Sequence, residues 1–191
     1  MAAQINPNHR LLAGYEKELK EAEDFEKNFG FLLEFHRKSA KRAHQKLLEI
    51  PLAGEMDLHA CLETNTKDML VGSAHFLRMS SSGKKGELVS RLVKVLLDAE
   101  FLQQMLDEDL VKKEREALQW MMEADGVRPW KEFVRKFGDD ADESTAWNYN
   151  EPKSIPGRLR MSGLFYSGTL KGQQVAFIPA DLRSHLRNLL K

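Results

Sequence analysis

The sequence predicts a mainly α-helical protein with one small β-hairpin near its C-terminus. Three observations carry this. Apolar residues recur every three or four positions over residues 9–49. Later amphipathic runs are closed by glycines and opened by prolines, among them Gly126, Pro129 and Gly138. Two short runs rich in β-branched and aromatic residues, 164–168 and 174–178, flank the turn-forming segment 169–173.

The first run sets Leu11, Tyr15, Leu19, Ala22, Phe25, Phe29, Leu32, His36, Ala40, Ala43 and Leu47 on one stripe, between Pro7 and Pro51. As one uninterrupted helix it would extend ~60 Å. So small a body could not cover that stripe, which would imply a second copy or another protein partner. Alternatively, Asn28 and Gly30 divide it into a helical hairpin. Phe25, Phe29, Leu32 and Leu33 are too many large apolar groups for a solvent-facing helix, so a helix–helix contact or a subunit interface is expected there. The cluster His36, Arg37, Lys38, Lys41, Arg42, His44 and Lys46 reads as a solvated basic surface, and the two histidines are too far apart for a close metal-ligand pair.

Pro51 and Gly54 mark a connector over 50–65 with a short helix around 56–62. A helix over 67–79 follows, then the Ser-rich loop 80–82, then an amphipathic helix that begins at Lys84 and Lys85 and carries Leu88, Leu92, Val95 and Leu96 on its inner face. An apolar pattern continues through Phe101, Leu102, Met105 and Leu106 without clear terminators and ends in the acidic residues 107–109. Beyond it, 112–124 and 130–137 read as helices, 139–151 as a polar loop, 155–162 as a short third helix with Arg158 and Arg160, and 181–190 as a final helix after the hairpin. The expected division is 1–50 as a long helical or oligomerisation region, 51–109 as a helical unit, and 110–191 as a third unit.

Residues 66–98 resemble the SAP family of nucleic-acid-binding modules. Met79, the loop Ser80, Ser81 and Ser82, and then Gly83, Lys85, Glu87, Leu88, Arg91 and Leu92 fall in step with its helix–loop–helix pattern. Arg78 stands where the family prefers Gly, and Gly86 interrupts the first turn of the second helix. The order of three helices and a hairpin over 112–191 resembles a winged helix, a resemblance of element order and not of a motif. If that unit binds DNA, its third helix would enter the major groove.

Formal net charge is zero and charged residues make up 30% of the chain, so the whole molecule is no polycation and nucleic-acid binding must come from local patches. The charge is segregated. Residues 77–94 hold Arg78, Lys84, Lys85, Arg91 and Lys94 against Glu87 alone, and residues 152–191 hold seven basic side chains against Asp181. Asp139, Asp140, Asp142 and Glu143 precede the third helix and would repel phosphate or guide its orientation. A single cysteine, Cys61, rules out an internal disulfide and points to an intracellular home, in cytoplasm, nucleoid or nucleus. The N-terminus lacks the apolar core of a secretory signal, and no apolar run reaches membrane-spanning length.

No catalytic set emerges. The six histidines are dispersed, and Ser82-Gly83-Lys84-Lys85 lacks the upstream glycine and the hydroxyl residue of a nucleotide phosphate loop. The clustered carboxylates lack Ca-loop spacing, so no metal and no cofactor is expected. Trp147, Tyr149 and Phe165 read as packing aromatics rather than base-stacking ones. The resulting expectation is a non-enzymatic protein that binds double-stranded DNA. Its contacts would be Ser81, Ser82, Gly83, Lys84, Lys85 and Arg91 in the first patch, and Lys153, Arg158, Arg160 and Lys171 in the second. The rival reading is a protein–protein adaptor or assembly subunit, which the zero net charge favours.

Overall fold

The computed structural model describes residues 7–52 and 54–190, with side chains for Phe25 and from Phe29 onward. The expected apolar positions Leu11, Tyr15, Leu19 and Ala22 are helical in backbone, but their side chains lie outside the described residues. The described chain is mainly helical with a small antiparallel sheet. Its elements run α1 (Pro7–Leu48), α2 (Leu58–Thr64), α3 (Lys67–Phe76), α4 (Lys85–Leu96), α5 (Ala99–Glu108), α6 (Lys112–Met122), β1 (Val127–Pro129), α7 (Trp130–Phe137), α8 (Ile155–Met161), β2 (Tyr166–Leu170), β3 (Gln173–Phe177) and α9 (Ala180–Leu189).

The single-helix alternative holds for α1. Its 42 residues run through Asn28 and Gly30 without a break, a length of about 63 Å. Contacts divide the chain into two units, Met1–Ser39 and Ala40–Lys191. In the first, Phe25, Phe29, Phe31, Leu32, Leu33 and Phe35 are all exposed, Phe25 by 71%.

In the second unit four helix starts are set by local side-chain caps. Asp57, Thr66, Asp98 and Ser154 each accept a backbone N–H three residues on, which fixes the starts of α2, α3, α5 and α8. Asp98 thereby divides into α4 and α5 what the apolar pattern alone left continuous. Gly138, at φ 85, closes α7 as expected, and its N–H reaches Val134 O.

The sheet has three strands in the order β1-β3-β2, one more than the expected hairpin. β1 is only three residues long and pairs antiparallel with β3, Val127 opposite Phe177. The hairpin turn is tighter than expected. Lys171 (φ 49) and Gly172 (φ 81) alone join β2 to β3, both in the left-handed conformation of a two-residue turn. On the free edge of β2, Thr169 exchanges backbone hydrogen bonds with Ile50 and Leu52, so the segment after α1 extends the sheet in parallel.

One hydrophobic core joins these elements. Leu88, Leu92 and Leu96 of α4 belong to the same buried cluster as Leu118, Phe133, Leu159 and Phe177. Within it the rings of Trp130 and Phe133 stack, and Phe165 lies tilted against Phe133 with centroids 4.6 Å apart. Gly163, at φ 80, lets α8 turn into β2 directly over α4, because a Cβ there would lie 2.6 Å from Leu96 Cδ1.

Candidate nucleic-acid interface

The loop between α3 and α4 is built by its backbone. Leu77 is buried and Arg78 takes a left-handed φ of 54, which lets Met79 N–H return to Ala74 O at 2.8 Å and close α3. The chain then runs through three serines. Ser80 and Ser82 hydroxyls lie 2.9 Å apart, and Ser81 Oγ lies 3.0 Å from His75 Nε2. Gly83, at φ 108, turns the chain into α4, where Glu87 accepts Lys84 N–H at 3.1 Å. Arg91 of α4 donates to Ser82 O and so anchors the loop from below.

The six residues expected in this first patch therefore lie together but are not equivalent. Ser82, Gly83 and Lys84 are exposed and Ser81 is half-exposed. Lys84 has no ion-pair partner among the described residues. Lys85 Nζ donates to Glu63 O at 2.6 Å, and Arg91 is half-buried under the loop it holds. Arg78 reaches across to Asp109 at 2.6 Å.

The second set divides differently. Lys153 and Lys171 are exposed. Arg158 and Arg160 are not available as a groove-reading helix requires. Arg160 is 2% exposed, its guanidinium set between Asp140 (Nε to Oδ2, 3.2 Å) and Ser167 Oγ (3.0 Å). Arg158 is the more accessible of the two, yet it donates to Glu114 and Glu151, both at 2.6 Å, and to Asp109 O. No residue of α8 is exposed, since α3 packs on it from one side and α6 from another. The expected entry of this helix into a major groove is corrected accordingly: α8 is a core element whose charges have internal partners.

Asp140 and Glu143, read from the sequence as surface acids, are structural. Burial pushes the Asp140 carboxyl up, but Arg160 and His44 outweigh it and hold its pKa at about 2. His44 Nδ1 lies 2.9 Å from Asp140 Oδ1, an ion-pair distance without good hydrogen-bond alignment. Beside this cluster a cavity of about 10 Å³ has room for one water and no substrate. Glu143 accepts the N–H groups of Lys153 and Ser154 and the Ser154 hydroxyl, clasping the start of α8.

Of the three aromatics considered for stacking, Phe165 and Trp147 are buried, the latter against Met69 and Met161, as expected of packing residues. Tyr149 is 80% exposed. It stands at the rim of a trough of about 320 Å³ lined by Gly72, His75, Phe76, Trp147 and Met161. His75 connects this trough to the serine loop, a link the sequence did not reveal.

Among the described residues no group of three or more His, Cys, Asp or Glu side chains is placed to hold a metal ion, and no helix is long and apolar enough to cross a membrane. No protein-family model, no curated protein and no solved structure matches this chain.

Proposed function

We propose that this protein is a non-enzymatic nucleic-acid-binding protein that grips the phosphates of double-stranded DNA through the α3–α4 loop, with Lys153 and the β2–β3 turn as a second contact. The observation that carries this reading is the serine loop itself. Ser82, Gly83 and Lys84 stand in solvent at the start of α4, where the helix dipole and the Lys84 ammonium favour an anion beside the N–H that Glu87 already takes. Arg91 holds the loop in that pose from beneath.

Two features support the SAP-like and winged-helix resemblances. Arg78 adopts the left-handed backbone for which a SAP module supplies Gly. Elements α6, β1, α7, α8, β2 and β3 follow winged-helix order with strand order β1-β3-β2. The closed surroundings of α8 favour the adaptor reading for that unit alone: a winged helix whose third helix is covered docks protein or acts as a scaffold.

Fluorescence anisotropy of a labelled DNA duplex, titrated at several salt concentrations, tests the proposal. Lys84→Glu is expected to weaken binding and reduce the salt slope by about 1, and Lys153→Glu with Lys171→Glu by about 2. Arg160→Gln should act through stability and leave the slope unchanged. Absence of binding by the wild type at about 50 mM salt would decide for the adaptor.

A further inference from the structure

We propose that two copies of this chain pair antiparallel through α1, centred on Phe31. The proposal is independent of nucleic-acid binding and rests on where apolar and charged residues fall along one continuous helix.

The first observation is exposure. Six large apolar side chains between Phe25 and Phe35 stand in solvent, at least 47% exposed each, which is more than an isolated helix face sustains. They spread around the helix: Phe25, Phe29 and Leu32 follow i, i+4, i+7 spacing, with Phe31 and Phe35 on a flank.

The second observation selects the occupant. Residues 16–26 carry six acids (Glu16, Glu18, Glu21, Glu23, Asp24, Glu26) against two lysines. Residues 36–46 carry five bases (Arg37, Lys38, Lys41, Arg42, Lys46) and no acid. The blocks are equal in length, and their centres, 21 and 41, lie symmetrically about residue 31. An antiparallel pairing centred on Phe31 therefore sets each acidic block against the partner's basic block and the apolar segment against itself. A parallel pairing would set acid on acid and base on base. The sequence is thus self-complementary about a two-fold axis, as a closed isologous dimer requires. Lys41 already meets Asp142 at 3.4 Å, but both side chains are more than 60% exposed, so that pair yields readily.

Sedimentation velocity of the full chain should give twice the 21.9 kDa chain mass, with an affinity that falls at least tenfold between low and high salt. Phe29→Glu with Leu33→Glu should give a monomer with unchanged circular dichroism, since both side chains are exposed. Direction is read by oxidising an equal mixture of Glu21→Cys and Lys41→Cys chains, the native Cys61 being buried. Cross-links between Cys at 21 and Cys at 41 are expected. A monomeric wild type at 100 μM, or cross-links confined to 21–21 and 41–41, would overturn the proposal.

Discussion

A Cβ added to Gly72 in the middle of α3 would run into Trp147 and lie 2.8 Å from its backbone carbon. Trp147 of the 139–154 loop thus packs both on Met69 and against the α3 backbone where Gly72 presents no side chain. Gly72→Ala is therefore expected to destabilise the protein by about 1 to 3 kcal/mol through overpacking. Gly86→Ala, in the first turn of α4 with nothing within 4 Å, should stabilise by up to about 1 kcal/mol. Urea denaturation of both variants reads the opposite signs.

Glu114 and Glu151 hold the same guanidinium, that of Arg158, at the same distance of 2.6 Å, but one is buried and the other is 61% exposed. Glu114→Ala leaves a half-buried Arg158 short of its main partner and uncaps Val111, so a loss of about 3 kcal/mol is expected. Glu151→Ala should fall within about 0.5 kcal/mol of wild type. Equal effects would show that burial does not govern this pair.

Asp140 has a folded pKa of about 2, below the roughly 3.9 of a free aspartate. Its contribution is present above pH ~4 and is lost as pH falls through that window toward 2. It amounts to an order of 2 kcal/mol. Asp140→Asn should lower stability at neutral pH and flatten the acid limb, so the two proteins converge near pH 2. Parallel limbs would contradict the ion-pair account.

Burial, with the carboxylates of Asp181 and Asp57, pushes the Cys61 thiol far above its ordinary range. A disulfide reagent at pH 8 should react at least about 100-fold more slowly with the native protein than with the unfolded chain.

Arg78 holds a left-handed backbone at a cost of about 1 kcal/mol relative to glycine, while its exposed pair with Asp109 returns little. In an Asp109→Asn background, Arg78→Gly should raise the melting temperature by about 2 to 4 °C.

What the sequence revealed follows the range of each interaction. Gly138, Asp57 and Thr66 act within four residues of themselves, so helix ends near them are legible. Asp98 was an equally local signal, readable as an N-cap, but the apolar pattern running past it hid it. β1 has three residues, ends in proline and finds its partner some fifty positions later, so no periodicity announces it. Arg158 and Arg160 look like solvent-facing bases because their partners, Glu114 and Asp140, lie 44 and 20 positions away. The serine loop was legible because its glycine, hydroxyls and lysine are contiguous. Its neighbour across the trough, Tyr149, was not.

The first amide of α2, Leu58 N–H, is held by Asp181, 123 positions later, and Thr169 likewise receives the chain leaving α1. On a ribosome adding about 5 to 20 residues per second, α2, capped locally by Asp57, waits roughly 6 to 25 s for this tertiary anchor. Until α9 emerges, the nascent chain carries α2 without its tertiary anchor, a state that chaperones recognise and proteases cut. A stop codon just before residue 181 would extend that interval without end, so loss of a short C-terminal piece should deplete the protein from the cell although most of the core sequence has been made.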